Sequence, residues 1–269
     1  MVKRVFFVCL SILFFAGCGP KYYPGLYHSA VPVLAPPVSD SISNFVALDF
    51  TRSAQTEESR VGEWSAEQKI SLLRANFLYS KPSFESSIFG GQVMFGASVY
   101  CGENKIRSSY SSESSGYFMF GGLGIQDAMN FHAHLGPFYP GIGAYCFLGA
   151  EGGPYVSEYI DDYWIPLLKM TIYPFICFRP FQRTVFLLQL DIPVLTIPEP
   201  MEKLDITAAA YTHWMTDCGL WISLGWLNNE GDYRTLRLLS VSGGASISLP
   251  IGSEGSKARE KQVQGDFED

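Results

Sequence analysis

The side chains of this 269-residue chain that could do chemistry are four histidines, six cysteines and scattered acids. His132 and His134 stand two apart, so on an extended strand their imidazoles project from one face and could reach one metal ion. Spacing supplies no third ligand, and a polar turn accounts for the pair equally simply, so no metal site is expected. Cys101, Cys146, Cys177 and Cys218 lie far apart with no CxxC pair, which disfavours zinc. In an oxidising compartment they allow one or two disulfides, with three connectivities if both form; the simpler reading is four small apolar side chains. Glu151, Glu158, Asp161 and Asp162 make an acidic stretch that could attract Ca²⁺ but lacks the spacing of a Ca²⁺ loop, so a solvated loop is expected. The motifs GxSxG, HExxH and GxxxxGK[ST] are absent. His132 or His213 beside a serine could imitate a hydrolase pair, but no spacing marks one, and neither an enzyme nor a cofactor is expected. Lys169, Gln189 and Asp191 interrupt otherwise apolar stretches and are candidates for polar pairing in an interior.

A fifth cysteine sits at the end of a targeting segment. Residues 1–18 read MVKRVFFVCLSILFFAGC: Lys3 and Arg4, an apolar core from Val5 to Phe15 broken by Ser11, then small residues. This is the layout of a secretory signal, too short for a spanning helix. Phe15-Ala16-Gly17-Cys18 resembles the lipobox of bacterial lipoproteins, with Phe15 where Leu is commoner. The resemblance implies that residues 1–17, including Cys9, are removed and that Cys18 receives a diacylglycerol and further acylation. The membrane lipid would then be a partner through acylated Cys18, an anchor worth about 0.8 kcal/mol per buried CH₂. Gly19 stands where the family's inner-membrane retention signal has Asp, which implies sorting to the outer membrane of a Gram-negative envelope.

Composition narrows the remaining classes. Nineteen Lys+Arg against 26 Asp+Glu give a net charge of -7, leaving no positive excess for nucleic acid. Hydrophobic residues make up 47% and aromatics 15%, with 17% charged, which argues against disorder. Beyond the signal no apolar run reaches the roughly 18–20 residues of a spanning helix.

The elements that must position these residues are read from periodicity. Residues 18–43 hold the lipidated Cys and a Pro-rich tether, 44–251 one β domain, and 252–269 a polar tail. Within the domain the pattern repeats every two residues. Phe186, Leu188, Leu190 and Ile192 alternate with Leu187, Gln189 and Asp191; Leu168, Met170 and Ile172 with Lys169, Thr171 and Tyr173. Val241, Ala245, Ile247 and Leu249 oppose Ser240, Ser242, Ser246 and Ser248. Ten strands are expected, near 44–53, 68–80, 86–101, 116–125, 140–150, 164–178, 184–195, 204–215, 218–228 and 234–249. Short and longer connections alternate except at 126–139, which could hide a bent strand or, within 127–135, a helical turn.

Strands of about 10 to 16 residues with an even count fit an all-β, antiparallel, up-and-down barrel. The pattern resembles small outer-membrane barrels. Aromatics near strand ends (Tyr79, Tyr100, Tyr117, Tyr139, Trp164, Phe178, Phe181, Tyr211, Trp214, Trp226 and Tyr233) would form interfacial girdles. The leading expectation is therefore an outer-membrane-associated lipoprotein with a membrane barrel, structural or surface-exposed, with a narrow pore as a variant. The alternative is a soluble β-sandwich or β-barrel, tethered on the periplasmic side and binding a lipid, glycan or protein partner. Two features keep it open: the last strand ends in Leu249-Pro250-Ile251 rather than an aromatic, and a lipid anchor is redundant for a spanning protein.

Overall fold

The computed structural model describes residues 43–59, 65–109, 115–160, 163–181, 184–197, 204–213, 217–230 and 234–249. Cys18, the signal, the tether before Ser43 and the polar tail lie outside the described residues. The described chain forms ten strands: β1 (Ser43–Ser59), β2 (Ser65–Glu85), β3 (Phe89–Ser108), β4 (Gly116–Ala133), β5 (Phe138–Gly152), β6 (Trp164–Phe181), β7 (Thr184–Ile197), β8 (Leu204–His213), β9 (Asp217–Glu230) and β10 (Arg234–Leu249). Each pairs antiparallel with its sequence neighbours, and β10 returns to β1 from Asn44 opposite Leu249 to Ser59 opposite Arg234. The result is one closed up-and-down barrel rather than a sandwich, and closure removes the open sheet edges that invite aggregation.

Alternation sets the strand faces. On β7, Leu187, Gln189 and Asp191 are buried while Phe186, Leu188 and Ile192 are exposed; on β6, Lys169, Thr171 and Tyr173 are buried while Met170 and Ile172 are exposed. On β10, Val241 and Ile247 face out and Ser240, Ser242 and Ser246 face in. The polar or small face therefore points to the lumen and the apolar face points away from it.

Segment 126–139 contains neither a bend nor a helical turn. Strand β4 runs on to Ala133 because Ala128, Asn130 and His132 continue the inward series and Met129 and Phe131 the outward one. A tight turn follows, in which Leu135 and Phe138 exchange both backbone hydrogen bonds (2.9 and 3.2 Å) and Gly136 takes φ of 63°. Eight of the ten strands run longer than expected, up to the 21 residues of β2, while β10 spans its expected residues and β8 is described only to His213. A π-helix, Tyr155–Ile160, occupies the β5–β6 connection.

Glycines on one strand receive aromatic rings from the next. Directly opposite pairs are Gly122 with Tyr100, Gly141 with Phe175, Gly143 with Tyr173, Gly219 with Tyr211 and Gly244 with Trp221. In each pair a β-carbon added to the glycine would run into the ring opposite. The missing side chain lets a large inward ring lie flat against the barrel wall, the packing used to rescue glycine in sheets. All five rings are buried.

Candidate functional site

The lumen is the first candidate site, and the strand register builds it in rows. Gln189, Thr207, Ser223, Ser242 and Thr51 stand opposite one another on β7, β8, β9, β10 and β1. Thr51 Oγ1 donates to Ser242 Oγ at 2.9 Å, and the Thr207 hydroxyl lies 3.0 Å from Ser223 Oγ and 3.4 Å from Asp191 Oδ2. Gln189 Nε2 donates to Asp191 Oδ1. Lys169 is buried on the inner face of β6, and Asp191 faces Asp205 across the β7–β8 pair, both buried. The three polar residues singled out from the sequence thus all reach the lumen, with Gln189 and Asp191 in direct contact.

A second network crosses the other half of the barrel. Tyr145 Oη donates to Gln126 Oε1 (3.1 Å), Gln126 Nε2 to Asn76 Oδ1 (3.3 Å), and Asn76 Nδ2 to Asp49 Oδ2 (3.0 Å). Arg74 lies over the Tyr100 ring at 5.3 Å, and the Tyr100 hydroxyl reaches Glu151 Oε2 at 3.2 Å. Asn104 Nδ2 donates to Gln68 Oε1 at 2.7 Å. Paired polar groups of this kind can be held in an interior without the full cost of desolvation. Tyr173, Phe147, Leu72 and Leu167 fill the spaces between them at 0 to 1% exposure, so side chains rather than solvent occupy much of the lumen.

The two mouths differ. Strand β1 begins and β10 ends at the mouth where the connections 86–88, 134–137, 182–183 and 214–216 are short; this is the terminal mouth. The other, the loop mouth, carries 60–64, 109–115, 153–163, 198–203 and 231–233. There the π-helix folds inward, burying Tyr155 and Val156, with Tyr155 edge-on to Phe120 at 6.2 Å. Gly153, at φ of 113°, makes the sharp entry.

At the terminal mouth the register aligns Glu85, Gly90 and His132 on β2, β3 and β4. Glu85 Oε1 lies 3.1 Å from His134 Nε2. The His132 and His134 rings stack at 5.2 Å, with Tyr139 edge-on to both. One ligand atom from each of Glu85, His132 and His134 lies within 4.8 Å of the others. Sequence reasoning paired the histidines but missed Glu85, because a bulge that passes over Ser83 changes which face Glu85 occupies.

The cysteines keep to the simpler reading: among the described residues no disulfide joins Cys101, Cys146, Cys177 and Cys218, and strand parity separates them, with Cys177 buried in the lumen while Cys101 and Cys218 are exposed. Several expectations are corrected. Glu151 belongs to no solvated loop: it is buried at the end of β5 against Tyr100, whereas Glu158 is exposed and Asp161 and Asp162 lie outside the described residues. Tyr100 and Tyr211 leave the aromatic girdle because their parity turns them inward. Tyr79, Tyr117, Trp164, Phe178, Phe181 and Trp226 do face out, Tyr139 is half-buried, and Trp214 and Tyr233 are outside the described residues. His213 pairs through its backbone with Asp217 at the β8–β9 connection, whereas His132 lies on β4 and His134 in the turn that follows it.

No protein-family model matches the chain, and no curated protein matches it. Among solved structures it is similar to the β domain of the Bordetella autotransporter Brka, at 10% identity, covering 77% of this chain and 100% of that one with a TM-score of 0.44. It is also similar to the transport unit of the autotransporter AIDA-I from Escherichia coli (11% identity, 81% and 94% covered, TM-score 0.43). A third similar structure is the translocator domain of the autotransporter NalP from Neisseria meningitidis (10% identity, 76% and 88% covered, TM-score 0.38).

Proposed function

We propose that this chain is an outer-membrane lipoprotein of a Gram-negative envelope whose barrel spans the bilayer, with a structural or surface-exposed role and no catalytic one. The observation that carries the reading is the inverted distribution of polarity: charged, amide and hydroxyl side chains inside, large apolar side chains outside. A soluble barrel places them the other way round, and exposed apolar surface on this scale is foreign to soluble monomers. On β6 the outward series Pro166, Leu168, Met170, Ile172, Pro174 and Ile176 carries no charge. At about 3.4 Å per residue and a tilt of roughly 40°, those ten residue steps cover about 26 Å along the barrel axis, the height of an outer-membrane apolar band. Trp164 and Phe178 bracket the series, and Tyr117 and Trp226 at the loop mouth with Phe89, Phe138 and Phe181 at the terminal mouth extend two aromatic belts.

Orientation follows from the termini. Strand β1 starts at the short-turn mouth, so a tether from acylated Cys18 reaches the barrel from the periplasmic leaflet, and the longer connections face outward from the cell. The packed lumen supports a barrel closed at rest. A narrow pore is the second reading, favoured by Asp49, Arg74, Lys169, Asp191 and Asp205 lying along one lumen. Heat-modifiable gel mobility of the detergent-extracted protein tests the spanning reading: the unheated band runs ahead of the boiled one if it holds, and a single band contradicts it. The mass of the mature N-terminal peptide tests the anchor, with acylated Cys18 expected and an unmodified or retained signal opposing. Stepwise conductance in planar bilayers would favour the pore variant, and a silent membrane the closed barrel.

A further inference from the structure

We infer that Glu85, His132 and His134 form a divalent transition-metal site that braces the terminal mouth of the barrel. The argument begins with strand spacing. Strands β2 and β4 are second neighbours, about 9.6 Å apart with β3 between them, and their side chains meet only if β3 leaves room. Gly90 does so: it stands directly opposite both Glu85 and His132, and a β-carbon there would lie 2.6 Å from Glu85 Oε2 and 2.6 Å from His132 Nε2. Two ligand atoms from separate strands thus converge on the space over one glycine. The bulge at Ser83 is the second device. Inward residues of β2 from Ala66 to Ser80 are even-numbered, and skipping one residue in the pairing carries odd-numbered Glu85 to the same inner face.

The third ligand is held by the turns. The His134 amide donates to the Ile88 carbonyl at 2.7 Å, tying the β4–β5 turn to the β2–β3 turn, and His134 Nε2 faces Glu85 Oε1 at 3.1 Å. Outside the wall the same arrangement repeats in apolar form: Phe84 and Phe131 meet across Gly91 with centroids 5.9 Å apart. The Gly90-Gly91 pair therefore lets β2 and β4 touch over β3 on both faces, with aromatic rings outside and ligating groups inside.

The donor set selects the ion. Two imidazole nitrogens and one carboxylate suit Zn²⁺ or its neighbours in the first transition row, whereas Ca²⁺ and Mg²⁺ take oxygen ligands. Around a tetrahedral ion with bonds of about 2.1 Å the ligand atoms stand about 3.4 Å apart. The ligand atoms of the three groups lie within 4.8 Å of one another, so binding would draw the widest pair together by at most about 1.4 Å. Three protein ligands leave a fourth position for water. Bound metal would tie β2, β4 and the turn before β5 together at the mouth nearest the chain's tether.

The test is calorimetric titration of Zn²⁺ into the untagged full chain in detergent, after removal of metal by chelator. One ion per chain is expected, with affinity reduced at least tenfold in Glu85→Gln, His132→Gln and Gly90→Ala, all still showing heat-modifiable mobility. Because a variant could misfold, the wild-type Co²⁺ spectrum is read as well: a nitrogen–oxygen visible envelope without thiolate charge transfer supports the site. No binding by the wild-type chain overturns the proposal. So does binding that survives His132→Gln/His134→Gln, or that is lost instead in Cys101→Ser/Cys218→Ser.

Discussion

At the scale of single residues, the lumen depends on partners rather than on burial alone. Gln126 joins Tyr145 to Asn76 and thence to Asp49, so Gln126→Leu strands a hydroxyl and an amide oxygen at once. The expected cost is about 1–3 kcal/mol for each group left unsatisfied, read as a lower urea midpoint with unchanged slope in vesicles. An unchanged midpoint would show that the network contributes nothing. Asp127 presents the converse case: it faces outward on β4 between Phe95 and Cys146, within the apolar surface. If that surface meets lipid, Asp127→Leu raises stability, by up to about 2 kcal/mol, and a lower midpoint would count against lipid contact. The sequence shows Lys169, Gln189 and Asp191 plainly, because each breaks an apolar alternation. It hides Glu85, because nothing in KPSFE marks where the pairing skips a residue.

At the scale of elements, alternation fixed ten strands and their faces, since one face had to be buried and a slip of one residue would have inverted it. Strand ends were less legible: β4 continues through DAMNFHA because its inward and outward series do not lapse, although Asp, Asn and Ala are weak strand formers. The glycine–aromatic pairs were invisible before register was known, since Gly143 and Tyr173 lie thirty residues apart in sequence and meet only across β5 and β6. They make a sharp expectation. Gly143→Val drives a branched side chain into the Tyr173 ring and should destabilise by about 1–3 kcal/mol. Pairing it with Tyr173→Ala should recover part of that loss, a coupling a double-mutant cycle detects. Strictly additive effects would mean that the ring and the glycine do not lean on one another.

At the scale of the whole molecule, the closed barrel, the apolar exterior and the filled polar lumen belong together. Closure gives every strand a hydrogen-bonded neighbour on both sides, the condition a hydrocarbon environment imposes. On the proposed reading, membrane attachment would have two separable sources, acyl chains at Cys18 and the outward faces of the ten strands. The decisive measurement separates them: residues 18–269 with Cys18→Ala, refolded in the presence of lipid vesicles, washed with urea or carbonate and floated on a density gradient. A spanning barrel floats with the vesicles and migrates as a heat-modifiable band although it carries no lipid. A chain released by the wash, soluble without detergent and insensitive to boiling on the gel, would contradict the account.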